Sequence, residues 1–180
     1  MHVLVLVGSL RADSLNRHLA DVAVGHLPAH ATVTVSELPA RLPFYSEDLD
    51  GADVPGAARA FREEVARADA VLVVTPEYNG SLPAVLKNAI DWTSRPRGSA
   101  ALAGKRAAVL AATASPRAAQ WVRDDAVRIM RVAGADVLED TVGVPSASQL
   151  LRDGSLDGQL DTAVGALVRM LAREDVTAAA

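Results

Sequence analysis

The chain has 180 residues, half of them hydrophobic and 22% charged, with a formal net charge of −4. That is enough for one domain with a real core, too little for two, and unlike the composition of a disordered chain. Cysteine is absent and all four histidines (His2, His18, His26, His30) lie in the first thirty residues, which excludes disulfides, cysteine–zinc and iron–sulfur sites, a cysteine nucleophile, an HExxH zinc site and a serine triad with a late histidine.

His2–Val7 is a continuous valine-rich run that suits a strand buried on both faces. It lacks a basic leader and a cleavage site, and no apolar stretch approaches membrane-span length without charges. The expectation is a cytoplasmic protein with no membrane partner. The acidic balance and the lack of a basic tract also argue against nucleic acid. After the polar loop Gly8–Asp13, Leu15, Leu19, Val22, Ala23 and Leu27 recur at helical spacing up to Pro28. Thr32–Val35 reads as a second strand and Leu38–Val54 as irregular. Pro55 can sit in the first turn of a helix with Ala57, Phe61, Val65 and Ala68 on one face. Ala70–Thr75 is the third strand, Pro76–Ser81 a loop, and Leu82–Trp92 a helix with Pro83 in its first turn. Beyond a break at 95–99, Ala107–Ala112 is the fourth strand, Ala118–Ala133 a helix and Asp136–Val144 the fifth strand. Leu160, Ala163, Val164, Leu167, Val168 and Leu171 form the stripe of a last helix, and 175–180 read as a frayed tail. Five repeats of strand then helix argue an α/β doubly wound sheet in a single domain, 1–180.

Four segments could carry chemistry. In an open parallel sheet, ligands bind outside the carboxyl ends of the strands. The Gly8–Asn16 loop puts Ser9, Arg11, Ser14 and Asn16 there, at a helix N-terminus suited to a phosphate monoester. Read blandly, the same residues are a capped helix start with a solvated arginine. The Thr75–Ser81 loop would be its neighbour if the first and third strands pair, and Tyr78 and Asn79 can edge a planar heterocycle. Its Asn79-Gly80 also reads as a plain turn, although the lack of flanking alternating strands disfavours a simple hairpin. The Leu82–Trp92 helix is apolar nearly all round, which suits burial against a partner or in the core, and Lys87 and Asp91 can pair within it or bridge subunits. Phe44-Tyr45 precede an acidic loop that reads as solvated, not as a metal site.

Together GSLRADSLNRHLA, LPFYSEDLD and TPEYNGSLPAVLKNAIDWTSRP resemble the NADPH-dependent FMN reductase family, flavodoxin-like proteins that include flavin, quinone, azo-dye and chromate reductases. The resemblance covers roughly residues 2–145. It implies a three-layer sandwich with a five-stranded parallel sheet in the order 2-1-3-4-5 and FMN at the switch point. By motif match Ser9, Arg11, Ser14 and Asn16 hold the FMN phosphate. Pro76, Glu77, Tyr78 and Asn79 line the isoalloxazine, the backbone of Glu77–Asn79 tunes it, and Gly80 and Ser115 complete the cofactor set. No metal and no catalytic side chain are implied: hydride passes from NADPH or NADH to flavin N5 and on to a small acceptor, in ping-pong fashion. The alternatives are an electron carrier without enzymatic activity, or a flavin-binding oligomer without turnover. The resemblance also implies a homodimer or homotetramer through the Leu82–Trp92 helix, with Phe44-Tyr45 near a neighbouring flavin. On this reading Phe44, Tyr45, Tyr78 and Trp92 border flavin or subunit contact, which leaves Phe61 as the one clear core aromatic. One departure stands out. The family often has a glycine-rich segment after the fourth strand, whereas Thr113–Trp121 has no glycine. Ser115 can still donate to the flavin, but Pro116, Arg117 and Trp121 narrow the space. Arg117 reads either as a partner for the 2′-phosphate of NADPH or as a solvated side chain.

Overall fold

The computed structural model describes residues 1–151, 155–156 and 158–173; the tail read at 175–180 lies outside these. Strands β1 (His2–Val7), β2 (Thr32–Val35), β3 (Ala70–Thr75), β4 (Arg106–Ala112) and β5 (Asp136–Val144) form one parallel sheet in the order β2-β1-β3-β4-β5. The continuous apolar runs have the expected cause: β3, in the middle, is buried at all six positions.

Alternate strand residues feed two cores, one on each face. Leu4, Leu6, Val71 and Val73 pack with α2 (Gly56–Arg67), α3 (Ala84–Thr93) and α4 (Gln120–Val132) through Phe61, Leu86 and Met130. On the opposite face Val3, Val5, Leu72 and Val74 meet α1 (Leu15–Gly25) and, beyond the short α5 (Ala147–Leu150), α6 (Gly158–Leu171). No helix among the described residues is long and apolar enough to cross a membrane.

Several boundaries differ from the sequence expectation for local reasons. Pro55 and Pro83 are extended N-cap residues (ψ 138° and 144°) rather than first-turn residues, so α2 and α3 start one residue after them. Ala58, not Ala57, faces the core. Helix α4 begins at Gln120 because Ala118 and Ala119 are left-handed, with φ of 53° and 51°. The 38–54 stretch contains two 3₁₀ turns, Leu38–Arg41 and Glu47–Leu49.

Trp92 is the larger correction: it is fully buried, a core aromatic alongside Phe61. Its Nε1 donates to the Pro43 carbonyl at 2.8 Å, the Tyr45 ring meets it edge-on at 5.0 Å, and the Arg62 guanidinium lies 5.3 Å from its ring centroid. Asn88 adds a two-way amide clasp, accepting from Tyr45 N at 2.8 Å and donating to Pro43 O at 2.9 Å. Arg62 also holds Asp50 through two 2.7 Å bonds. The all-round apolarity of α3 is thus largely consumed by the sheet on one side and the 43–50 loop on the other. Lys87 and Asp91 pair along the helix at 2.6 Å.

Candidate functional site

The loops after β1 and β3 leave from adjacent strand tips, since Gly8 N donates to Val74 O at 2.8 Å. This is the point where the strand order reverses. In the first loop Ser14 caps α1: its backbone is extended and its Oγ accepts from Arg17 N at 3.4 Å. The main-chain N–H groups of Leu10, Ala12 and Asp13, and the first-turn N–H groups of Leu15 and Asn16, have no acceptor among the described residues. The guanidinium of Arg11 makes no ion pair there either. A cavity of about 350 Å³ adjoins the loop on its β2 side, lined by Ser9, Arg11, Arg17, Ser36 and Arg41 among others.

Asn16 behaves differently from the other three residues of its motif. It is 3% exposed, and its amide bonds both ways to Ala112 at the end of β4, Nδ2 to O at 3.0 Å and N to Oδ1 at 2.8 Å. It stands where a neighbouring strand would otherwise satisfy that backbone and so ties the start of α1 to the tip of β4.

The β3–α3 loop is a one-bridge hairpin. Tyr78 and Ser81 exchange two 3.1 Å main-chain bonds around Asn79 (φ 52°) and Gly80 (φ 77°). The Asn-Gly pair is sufficient here without flanking strands, because both residues tolerate positive φ. Tyr78 is 50% exposed. The loop is fastened to α4 at three points. Glu77 Oε2 accepts from Val122 N at 3.1 Å, Ser81 Oγ donates to the Asp125 carboxylate, and the Trp121 ring packs against Gly80, where a Cβ would lie 3.3 Å from Cε3. The Ser81 hydrogen bond, together with Arg128, holds the Asp125 carboxyl below its usual range against the opposing effect of burial.

The β4–α4 loop leaves the same end of the sheet, beside the β3–α3 loop. Ser115 N donates to Thr113 Oγ1 at 3.1 Å and Ser115 Oγ accepts from Arg117 N at 3.2 Å. The left-handed Ala118–Ala119 pair does what glycines would do in a more permissive loop, and a buried cation holds it in place. Arg123, 9% exposed, donates from Nε to Ala118 O at 3.1 Å, from Nη1 to Thr141 Oγ1 at 2.6 Å and from Nη2 to Gln120 Oε1 at 2.5 Å. Burial lowers its pKa from the ordinary arginine value, yet an arginine remains charged at neutral pH. Gly143 on β5 lies directly beneath: a Cβ there would sit 2.0 Å from Ala118 O and 2.7 Å from Arg123 Nε. Arg123, Gly143 and Asp125 were not singled out from sequence. The available signals were a charge at an inward helical position beside Val122 and Ala126, and a glycine inside a strand. Among the described residues no group of three His, Cys, Asp or Glu side chains is placed to hold a metal ion.

A family model described as NADPH-dependent FMN reductase matches residues 1–149. The chain is 46% identical over 110 residues to a 2-hydroxy-1,4-benzoquinone reductase from a Burkholderia species, a match covering 61% of this chain and 59% of that protein. It is 43% identical over 112 residues to an NAD(P)H-dependent FMN reductase of Pseudomonas aeruginosa, covering 62% and 60%. The matched stretch thus spans about three fifths of these relatives' length. Among solved structures, a flavoenzyme NAD(P)H:(acceptor) oxidoreductase from Paracoccus denitrificans superposes with a TM-score of 0.82 at 32% identity, covering 94% of this chain and 96% of that one.

Proposed function

The chain belongs to the NADPH-dependent FMN reductase family, and on that premise we propose that it is an FMN-dependent NAD(P)H oxidoreductase acting on a quinone- or flavin-type acceptor. Donor and acceptor take turns at one site, in a ping-pong cycle. The observation that carries this reading is the pair of adjoining loops at the β1/β3 switch point: one offers unpaired amides and the unpaired Arg11 guanidinium, the other a rigid hairpin edge. These donors fit a phosphate monoester, which a helix N-terminus and a guanidinium both favour.

In this assignment Ser9, Arg11 and Ser14 hold the FMN phosphate, and Asn16 supports them by fixing the start of α1 against Ala112. Pro76, Glu77, Tyr78, Asn79 and Gly80 border the flavin ring, with Ser115 opposite. When bound, FMN supplies the centre that accepts hydride from the nicotinamide and returns two electrons to the acceptor. The chain's own part is to bind, orient and present hydrogen-bond donors. A quinone acceptor is supported by the relative named as a 2-hydroxy-1,4-benzoquinone reductase. We place the protein in the cytoplasm, where reduced nicotinamide nucleotides are made, as a single domain that self-associates. The self-association is assigned to α3, whose side facing α4 borders a crevice of about 640 Å³ in which the 83% exposed Val132 stands among Lys87, Asp91, Arg95 and Arg128.

The test is anaerobic. Protein loaded with FMN is titrated with NADPH and, separately, NADH, and then with a quinone. The reading expects flavin absorbance to bleach with at least one donor and to return on adding quinone. Failure to retain FMN overturns it. Retained flavin that neither nicotinamide reduces would point to an electron carrier, or to a flavin-binding oligomer without turnover.

A further inference from the structure

We propose that Trp121 and Arg117 form an acceptor-side wall that selects planar, anionic aromatic acceptors, such as ionised hydroxyquinones, over neutral ones of the same size. The inference rests on the flavin reading above and names the substrate class for that site.

Trp121 is 58% exposed. It is nevertheless fixed: the Cε3 edge of its ring meets Gly80, and its helix is bound to the same loop through Glu77 and Ser81. The indole is therefore an extension of the hairpin assigned to the ring of the cofactor, not a free surface residue. Arg117 turns back over it, with the guanidinium carbon 5.4 Å from the indole centroid. That reversal is enforced by the left-handed Ala118–Ala119 pair, which Arg123 holds through the Ala118 carbonyl.

The Arg117 side chain has no ion pair and no hydrogen bond among the described residues. Acidic groups close to it in sequence or across the loops are engaged elsewhere: Glu77 on Val122 N, Asp124 on Gln120 Nε2 at 2.7 Å, and Asp125 on Ser81 and Arg128. The wall thus presents an apolar face beside a positive charge whose N–H edges are free. A guanidinium held over an aromatic ring keeps those edges available for a planar oxyanion. A planar acceptor gains stacking against the indole face that Arg117 leaves open, whatever its charge, and an ionised hydroxyl or carboxylate on its rim also gains a charge-assisted hydrogen bond.

The probes are 2-hydroxy-1,4-naphthoquinone, whose hydroxyl is ionised at neutral pH, and 2-methoxy-1,4-naphthoquinone, which is neutral with the same ring system. Affinity is read by equilibrium dialysis against FMN-loaded protein and, separately, kcat/KM is read for each quinone with saturating donor. For R117A the hydroxy-to-methoxy ratio, in affinity and in kcat/KM, should fall about tenfold, the scale of a lost charge-assisted hydrogen bond. R117K should recover part of it. W121A should weaken both quinones together, while W121F keeps most of the binding. Equal losses for the two quinones in R117A, or no loss, would overturn the wall. Its failure is distinguishable from failure of the oxidoreductase reading: a wild-type protein that keeps FMN but oxidises no donor fails the latter, and the dialysis ratio still decides the wall. A protein that retains no FMN overturns both.

Discussion

The Glu77 carboxylate accepts the main-chain N–H of Val122, so a residue of the β3–α3 loop caps the helix that follows β4. Helix α4 has no cap of its own, because Ala119, at its N-cap position, lacks a polar side chain. One carboxylate thus serves the start of a helix and the relative position of two loops at the same end of the sheet. E77A should lower stability by about 1 kcal/mol, the usual cost of a lost N-cap, or about 2–4 °C in Tm for a chain of this size. E77Q, which keeps an acceptor oxygen, should recover most of this. Thermal unfolding of the three proteins checks it, and an E77A midpoint equal to wild type would mean that water replaces the cap at no cost.

Asn16 joins the first helix to the fourth strand through the main chain of Ala112. Removing the amide leaves a buried N–H and a buried C=O unpaired, so N16A should cost about 2–3 kcal/mol. N16D should not rescue it, because a carboxylate accepts from the Ala112 N–H but offers nothing to its carbonyl. Urea unfolding measures the loss. A small effect on stability combined with a large loss of FMN affinity would return Asn16 to the direct phosphate role its motif suggests.

The strands were legible because burial on both faces writes continuous runs of Val, Leu and Ala, and the helices show as stripes, Leu15–Leu27 and Leu160–Leu171 on one face of the sheet and Phe61–Ala68 on the other. Their order, 2-1-3-4-5, was implied by the family resemblance. The neighbourhood of the first and third loops followed from that order. What remained hidden depends on pairs distant in sequence. Nothing local to Ala118 and Ala119 calls for left-handed backbone; Arg123 and Gly143 together impose it. The apolar helix that carries Trp92 leaves burial in the core or against a partner open, and the family resemblance placed Trp92 at a contact. Its burial depends on Pro43 and Tyr45 folding over it, a contact that helical periodicity cannot show.

Asp50 is 9% exposed and held by two bonds from Arg62, and that hydrogen bonding, with the guanidinium charge, keeps its carboxyl below the usual aspartate range despite the opposing effect of burial. A carboxyl whose pKa is lower in the folded state stabilises the fold fully above its ordinary unfolded value, about 3.9, and loses that contribution as pH falls through the lowered folded value. D50N should therefore be destabilised by about 3 kcal/mol at pH 7, since it strands a largely buried guanidinium. The gap to wild type should narrow as acid protonates Asp50 in the parent. Unfolding free energies at a series of pH values from 7 to about 3 test both parts. A gap that stays constant across the series would assign the loss to packing alone.

Arg11 contributes the one guanidinium of the phosphate loop motif and has no carboxylate partner among the described residues. R11A should weaken FMN binding by about tenfold or more, the scale of a charge-assisted hydrogen bond to phosphate. The loss should shrink for riboflavin, which lacks the phosphate. Fluorescence titration of the unloaded protein with both flavins measures this. Equal losses for FMN and riboflavin would place Arg11 at the ring instead of the phosphate.

Gly143 is the least replaceable position around the site. The Ala118 carbonyl and the Arg123 guanidinium occupy the space its side chain would need, at 2.0 and 2.7 Å from the Cβ position, and the nearer obstacle is main chain that cannot rotate away. G143A must displace the β4–α4 loop, break the Arg123–Ala118 bond, or both. Overpacking of this kind costs about 3 kcal/mol, and it should also raise the acceptor KM more than it lowers kcat, because Ser115 and Arg117 ride on the displaced segment. The variant R123Q separates the two effects: it removes the guanidinium without adding volume, so it should relax the loop with a smaller loss on unfolding. Urea midpoints and steady-state parameters for both variants decide the matter. A G143A protein within about 0.5 kcal/mol of wild type would show that the β4–α4 loop is not held by this contact.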